Sequence, residues 1–308
     1  MAKIKRDRVD WQGYLPAITT PFAVDGTLDE AGLGRLLEWL HGEGMHGLVL
    51  AGTTGEWTSM TASERARLFE ATGAQMKGKL PLIAGCSSFT AAESIAFADH
   101  AAAAGFDGVL MTPPPYIRPR ADEIAAFYET VSAAIDLPIC IYNWPPGTGI
   151  DMDLPLLSRL AEIEGVVAIK QSSSQFTNFV ETFFALKDQV RVFGFPMNEI
   201  GLTMLRVHGG DGTMGAGGVL GRYQPGFYDA LWAGDLDGAR ECGAKDRVLM
   251  REWYTPELVG RFGSGPAILK AALDAQGLPG GPVRAPLLPV SDSAREEIAQ
   301  TLRKLQIL

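Results

Sequence analysis

Pro138-Ile139-Cys140-Ile141-Tyr142-Asn143, followed by Leu154–Ala161 and then Val166-Val167-Ala168-Ile169-Lys170, is the stretch whose reading decides the fold. Two short apolar runs, each ended by a polar residue, flank a segment with helical periodicity. That is the signature of a buried strand, a helical crossover and a second strand. The same unit recurs outward in both directions. Further runs lie at Tyr14–Thr20, Gly47–Ala51, Pro81–Gly85, Asp107–Thr112, Val190–Phe195 and Asp211–Gly215. Between them fall helical segments at Leu28–Gly42, Thr61–Gln75, Ala91–Ala104, Asp122–Ala134, Phe176–Lys187 and Glu199–Val207. Thr61 and Glu64 have the spacing of a capping box.

Eight strands alternating with helices predict an α/β chain with a parallel sheet, and eight is the number that closes a (β/α)8 TIM barrel. A doubly wound open sheet would need a glycine-rich phosphate turn after the first strand. Thr19-Thr20-Pro21-Phe22 stands there instead. Beyond Gly221 the strand signal stops, and amphipathic segments at Tyr223–Ala233, Leu236–Trp253, Pro266–Gln276 and Ser291–Gln306 predict a C-terminal helical extension. The expected organisation is a barrel over 1–221 and helices over 222–308 in the same structural unit.

Composition narrows the function classes. The 36 Gly and 19 Pro among 308 residues stay below the roughly 25–30% of disordered or low-complexity chains. A net charge of −9 repels phosphate polyanions and anionic lipid, so neither nucleic acid nor membrane is an expected partner. The Met1–Asp10 stretch carries Lys3, Lys5, Arg6 and Arg8 without an apolar core after them, so no secretory signal is expected. Cys86, Cys140 and Cys242 are odd in number and widely spaced, which suits reduced thiols and a cytoplasmic location. His41, His46, His100 and His208 form no metal-ligand pattern, and no cofactor is expected.

In a barrel of this kind chemistry sits at the carboxyl ends of the strands. Lys170 ends an apolar strand, where desolvation would lower its pKa and make the amine a nucleophile toward carbonyls. The alternative is a strand-end lysine reaching out to water. Tyr142 closes the preceding strand on the same face as Cys140, placed either to relay protons to the amine or to cap a neighbouring carbonyl. Gly52-Thr53-Thr54-Gly55-Glu56 offers two adjacent hydroxyls between glycines, suited to a carboxylate or else a tight turn. Glu56 reads as a group behind the threonines or facing solvent. The remaining polar candidates at strand ends include Thr112 with Tyr116, Asn198, Thr213 and Met214.

These residues together resemble the dihydrodipicolinate synthase / N-acetylneuraminate lyase family of pyruvate-dependent class I aldolases. The resemblance runs through Pro16-Ala17, Thr19 and Pro21-Phe22, Gly52–Glu56, Thr112-Pro113-Pro114-Pro115-Tyr116, Tyr142-Asn143-Trp144-Pro145 and Lys170. It implies a homotetramer, a dimer of dimers, in which Lys170 forms a Schiff base with a 2-oxo acid, usually pyruvate. It further implies that Tyr142 relays protons, that Thr53 and Thr54 hold the pyruvyl carboxylate, and that Tyr116 reaches across a subunit interface to Thr53. The expected substrate-binding set is Thr53, Thr54, Gly52, Met214 and Asn198.

Two departures bear on the second substrate. Members that condense pyruvate with aspartate semialdehyde carry an arginine after the Tyr-Asn-x-Pro motif, where this chain has Gly147. Losing such a carboxylate clamp forfeits roughly 1.5–3 kcal/mol. Gly194-Phe195-Pro196-Met197-Asn198-Glu199 also lacks the Asp-Glu pair of the sialic acid lyases. The expected activity is therefore an aldolase, dehydratase or deaminase acting on a 2-oxo acid, such as a 2-keto-3-deoxy sugar acid or a hydroxyproline-derived imino acid. Dihydrodipicolinate synthesis is the alternative, and a non-catalytic 2-oxo-acid-binding barrel is the alternative of another class. Trp144, Phe195 and Met197 either shape an apolar acceptor pocket or serve packing.

Overall fold

The computed structural model describes residues 5–308, so Lys3 lies outside it. Eight strands run in chain order: β1 Gly13–Tyr14, β2 Leu48–Leu50, β3 Leu82–Gly85, β4 Gly108–Met111, β5 Ile139–Asn143, β6 Val166–Gln171, β7 Arg191–Phe193 and β8 Gly212–Thr213. Every pairing is parallel, in the order β1-β8-β7-β6-β5-β4-β3-β2. The seam between β1 and β2 is closed just past β1, where Val49 N–H donates to the Pro16 carbonyl (2.9 Å) and Ile18 N–H to the Val49 carbonyl (3.0 Å). The sheet is thereby a (β/α)8 barrel.

Helices α1 Glu30–Gly42, α2 Ala62–Met76, α3 Ala91–Ala104, α4 Ala121–Ala134, α5 Pro145–Thr148, α6 Leu154–Ala161, α7 Phe176–Leu186 and α8 Glu199–His208 lie between the strands. Four more, α9 Tyr223–Trp232, α10 Leu236–Trp253, α11 Gly265–Ala275 and α12 Asp292–Lys304, form the C-terminal helical part. Sequence punctuation explains where several start. Asp29, Thr90, Asp153, Asp235 and Ser291 each accept a hydrogen bond from the first turn they precede. At Thr61 the reciprocal box with Glu64 is complete.

Most strands are shorter than the sequence runs suggest, and the first and the eighth shorten most in proportion. The first strand is two residues rather than seven, because Pro16 has no N–H to give to a ladder. Pairing nonetheless continues irregularly, with Leu15 N–H on the Thr213 carbonyl and Ala17 N–H on that of Gly215. The eighth strand likewise narrows to Gly212–Thr213. β6 extends one residue beyond expectation, so that Lys170 is its penultimate residue. The short α5 within the loop after β5 was not anticipated.

Side chains divide between two cores. Inside the barrel Trp11, Leu15, Val49, Ile83, Leu110, Cys140, Phe193 and Met214 pack together, with Tyr142 at the upper end. The far larger outer core joins the alternate strand positions, such as Ile141 and Ile169, to the helices. At the opposite end the described part of the basic N-terminal stretch, from Lys5 on, is bonded to the barrel. Lys5 donates to the Ala161 and Ile163 carbonyls, and Arg6 pairs with buried Asp211 at 3.0 Å. Among the described residues no helix is long and apolar enough to cross a membrane.

The interior is a packed plug, so truncating it should be costly. Phe193→Ala, at a fully buried interior position, is expected to destabilise by about 3–5 kcal/mol. Denaturant unfolding checks this, and a loss below about 1 kcal/mol would mean that the barrel interior is not close-packed.

Candidate active site

β5 and β6 carry the central pair. Tyr142 and Lys170 are direct register partners on these neighbouring strands. Both side chains project inward because alternation puts Ile141 and Ile169 on the outer face. Lys170 Nζ lies 4.1 Å from the Tyr142 ring centroid. The lysine is only 7% exposed and its interior neighbours are apolar. Burial pushes its ammonium down from 10.5 to about 8, with the Cys140 thiol pulling slightly the other way. Roughly a tenth to a fifth of the amine is therefore neutral near physiological pH, against about a thousandth for an exposed lysine. Burial raises the Tyr142 phenol well above its usual value, and the hydroxyls of Thr53 and Ser172 beside it oppose that shift. A phenol in this state keeps its proton and can lend it to a neighbour. Cys140 beneath them is raised to about 12 by burial, which leaves a neutral thiol packed 4.0 Å from the Met214 sulfur.

The loop after β2 brings Thr53 and Thr54 to the same cavity, about 490 Å³ in volume. Neither threonine amide donates to a carbonyl among the described residues, so both amides and the Thr54 hydroxyl are available to an anion, while the Thr53 hydroxyl stands by the Tyr142 phenol. The loop's glycines work differently from the sequence expectation. The left-handed conformations fall on Ala51 (φ 51°) and Glu56 (φ 59°), not on Gly52 or Gly55. A Cβ on Gly55 would stand 3.1 Å from the backbone of Ala51 and Ile18, so this glycine permits close packing of the chain on itself. Glu56 corrects the alternative of a solvent-facing group: it is 1% exposed and turned inward.

Other candidates are placed as follows. Met214 lines the cavity floor as an interior core residue. Asn198 reaches the cavity wall, but its Oδ1 is engaged as the cap of α8, accepting from Ile200 and Gly201 N–H. Tyr116 is not brought to the cavity in this chain. It stands 89% exposed with φ 78°, beside 70%-exposed Ile117.

Residues that sequence reasoning missed lie off the strand ends. Asp151 knits the tops of β5 and β6 together by accepting from Asn143 Nδ2 (2.9 Å), Ser173 Oγ (2.8 Å) and Asn178 Nδ2 (2.8 Å). Asn143 Nδ2 donates also to Gln171 Oε1 at 2.8 Å. From α10, Asp246 and Arg247 line the far side of the cavity. Burial lifts the Asp246 carboxyl to about 6, offset in part by the Gln224 amide that donates to it. No strand-end rule points to these, because they come from the C-terminal helices.

The wall over Tyr142 is an indole. Trp144 stacks on the Tyr142 ring with centroids 5.9 Å apart and 20° between planes. A Cβ at Gly147 would meet Trp144 Cδ1 at 2.5 Å and Nε1 at 2.7 Å. Trp144 thus fills the space that a side chain at 147 would leave through.

With this geometry in view, the comparisons with known proteins agree. The model of the dihydrodipicolinate synthetase family matches residues 10–305. The chain is 32% identical over 300 residues to a 4-hydroxy-tetrahydrodipicolinate synthase of Methanosarcina mazei, covering 97% of this chain and 99% of that one. It is equally 32% identical, over 305 residues and 98% of both chains, to a protein of Rhizobium meliloti named an uncharacterized DapA-like lyase. Its fold is similar to the solved structure of a dihydrodipicolinate synthase from Thermotoga maritima, with TM-score 0.86 and 28% identity over 97% of this chain and 100% of that chain.

The depressed amine has a direct readout. Competitive labelling with an amine-acylating reagent should show Lys170 half reactive near pH 8, since only the neutral form attacks, while exposed lysines follow at about 10.4. Reactivity should fall about tenfold per pH unit below the midpoint. A Lys170 profile that coincides with the exposed lysines would contradict the desolvation argument.

Proposed function

This chain belongs to the dihydrodipicolinate synthetase family, and from that premise we propose that Lys170 is the amine with which it acts, as a class I Schiff-base-forming lyase, on pyruvate or a related 2-oxo acid. The observation that carries the assignment is the register pairing of Lys170 with Tyr142, which sets a desolvated amine 4.1 Å from the phenol ring.

The neutral amine adds to the carbonyl carbon and gives a carbinolamine. Loss of its hydroxyl as water requires a proton, which Tyr142 delivers and recovers with the Thr53 hydroxyl as its neighbour. The resulting iminium withdraws electrons from the adjacent carbon, so a C–H bond there breaks to an enamine as its proton returns to the Tyr142 phenoxide, or a C–C bond breaks as a carbonyl fragment leaves and its hydroxyl proton returns to that phenoxide. Thr53 and Thr54 hold the substrate carboxylate, Gly52 stands behind them in the turn without lining the cavity, and Met214 provides an apolar floor for the substrate's methyl end. Asn198 supplies a polar contact through Nδ2, since its oxygen is engaged.

We propose that the second substrate or leaving fragment is not aspartate semialdehyde. Gly147 offers no cation, and Trp144 occupies the volume through which a side chain at that position would extend. A 2-keto-3-deoxy sugar acid or a hydroxyproline-derived imino acid suits this pocket better. The second reading, 4-hydroxy-tetrahydrodipicolinate synthesis, draws on the names of relatives such as the Methanosarcina mazei protein. A non-catalytic 2-oxo-acid-binding barrel is disfavoured because Lys170 and Tyr142 are both present.

Tyr116, exposed and in strained backbone beside exposed Ile117, supports a homotetramer in which it enters the partner's site near Thr53. The buried Glu56–Lys270 contact supports regarding 1–221 and 222–308 as one unit. Three free cysteines, two of them buried, support a cytoplasmic location.

Incubation with pyruvate and borohydride should add one reduced pyruvyl group on Lys170, detected by peptide mass spectrometry, and Lys170→Ala should abolish it. An unmodified Lys170 sinks the assignment. Tyr142→Phe should still bind but form the adduct about 10²–10⁴-fold more slowly. A coupled assay with aspartate semialdehyde should give little turnover, whereas robust turnover would establish the second reading. Sedimentation should report a tetramer, with Tyr116→Phe lowering the adduct rate without dissociating it.

A further inference from the structure

The loop that presents Thr53 and Thr54 is built on strained backbone. Glu56, which ends it, has φ 59°, and a non-glycine residue stays there only where its surroundings dictate it. Here they do so through its side chain. Glu56 turns away from the cavity into the body of the protein, where Oε1 meets Lys270 Nζ at 2.5 Å and Oε2 accepts the Arg284 N–H at 3.0 Å. Lys270, on α11, is itself 1% exposed. It donates to the Pro282 carbonyl at 2.7 Å and lies 4.4 Å from the Phe22 ring centroid. Neither Glu56 nor Lys270 lines the cavity, so neither touches a ligand there.

A buried ion pair returns about what its desolvation costs, and a well-packed apolar pair would serve stability as well. What an apolar pair would not supply is direction. A carboxylate with one oxygen accepting the Arg284 N–H and the other against the Lys270 ammonium fixes the rotation of the residue that bears it. The loop's other hydrogen bonds are mostly turns within itself, Gly55 N–H to the Gly52 carbonyl at 3.0 Å and Glu56 N–H to that of Thr53 at 3.2 Å, while Thr20 Oγ1 reaches in from outside to the Gly55 carbonyl at 2.8 Å.

We infer that Glu56 and Lys270 are positioning residues for the substrate carboxylate: their ion pair locks the left-handed turn at Glu56 and thereby aims the amides and hydroxyls of Thr53 and Thr54 into the cavity. A helix of the C-terminal part would then set 2-oxo-acid affinity from outside the barrel. The inference rests on the reading that this loop receives the pyruvate carboxylate.

The test measures the pyruvate concentration that half-saturates borohydride trapping on Lys170 in the parent, Glu56→Gln, Lys270→Met, the double Glu56→Gln/Lys270→Met and Glu56→Asp proteins. Half-saturation should rise about tenfold or more in the single and double variants, the worth of one misplaced charge-assisted hydrogen bond. The trapping rate at saturating pyruvate should fall less than half-saturation rises, because Lys170 and Tyr142 are not displaced and only the Thr53 hydroxyl beside Tyr142 is shared with the loop. The double variant leaves no unpaired buried charge and should melt near the parent, yet it should keep the raised half-saturation. A folded double variant with parental half-saturation overturns the inference and leaves the pair a purely structural one. Where the charge-removing variants fail to fold, Glu56→Asp decides, since it keeps the charge and shortens the reach; parental half-saturation there overturns the inference too. Amide hydrogen exchange of the 51–57 segment is read in the same proteins. Faster exchange in the variants supports the lock and unchanged exchange overturns it, whether or not pyruvate is the ligand. A parent protein that traps no pyruvate on Lys170 counts against the proposed function alone.

Discussion

Desolvation of one ammonium group is the constraint on which the site depends. Lys170 is useful only where water cannot stabilise its charge, and the barrel supplies that place by filling its own interior. Cys140, Phe193 and Met214 form a dry bed beneath the amine, and the Tyr142 ring closes one side. Each of these neighbours is neutral. A carboxylate in the same position would restore the ammonium and silence the nucleophile. The raised thiol of Cys140 follows from the same burial, so its presence below the lysine adds packing and no competing anion.

Such a site needs its polar parts held from outside, since they cannot be stabilised by water. Around β5 and β6 the holding is done by Asp151, which gathers Asn143, Ser173 and Asn178 above the amine. Around the Thr53–Thr54 loop it is done from the other end of the chain, by Lys270 and Arg284 acting on Glu56. Arg284 also pairs with Glu64 and bonds the Gly26 carbonyl. The C-terminal helices are therefore part of the site's framework, and with Asp246 and Arg247 they are part of its wall.

Trp144 and Gly147 make a matched pair. A glycine at 147 lets the indole lie flat on Tyr142, and the indole takes the room that a longer residue would use. The consequence is a cavity wall beside Tyr142 made by an indole, with no side chain at 147. Gly194 shows the same economy of space at β7. It has φ 144°, and a Cβ there would lie 2.6 Å from the Gln171 carbonyl oxygen, so only glycine fits between the two strand ends.

The barrel was legible in the sequence because buried parallel strands are continuous apolar runs and their helices carry a 3.6-residue stripe; both signals are local. For the same reason Lys170, Tyr142 and the Thr53-Thr54 loop could be read from their places at strand ends. Strand lengths at the β1–β8 seam could not, because Pro16 and the irregular pairing around it depend on which chain lies alongside. Neither could the fate of Glu56, whose partner Lys270 stands on the far side of the sequence, nor the cavity wall contributed by α10. Sequence by itself determined which residues stand at the strand ends where the proposed chemistry lies, since the succession of strands and side-chain alternation follow from neighbours along the chain. Tertiary structure alone decided how dry the amine is, what holds the carboxylate loop and what fills the space at Gly147, because burial, ion pairing and excluded volume are properties of residues that meet only after folding.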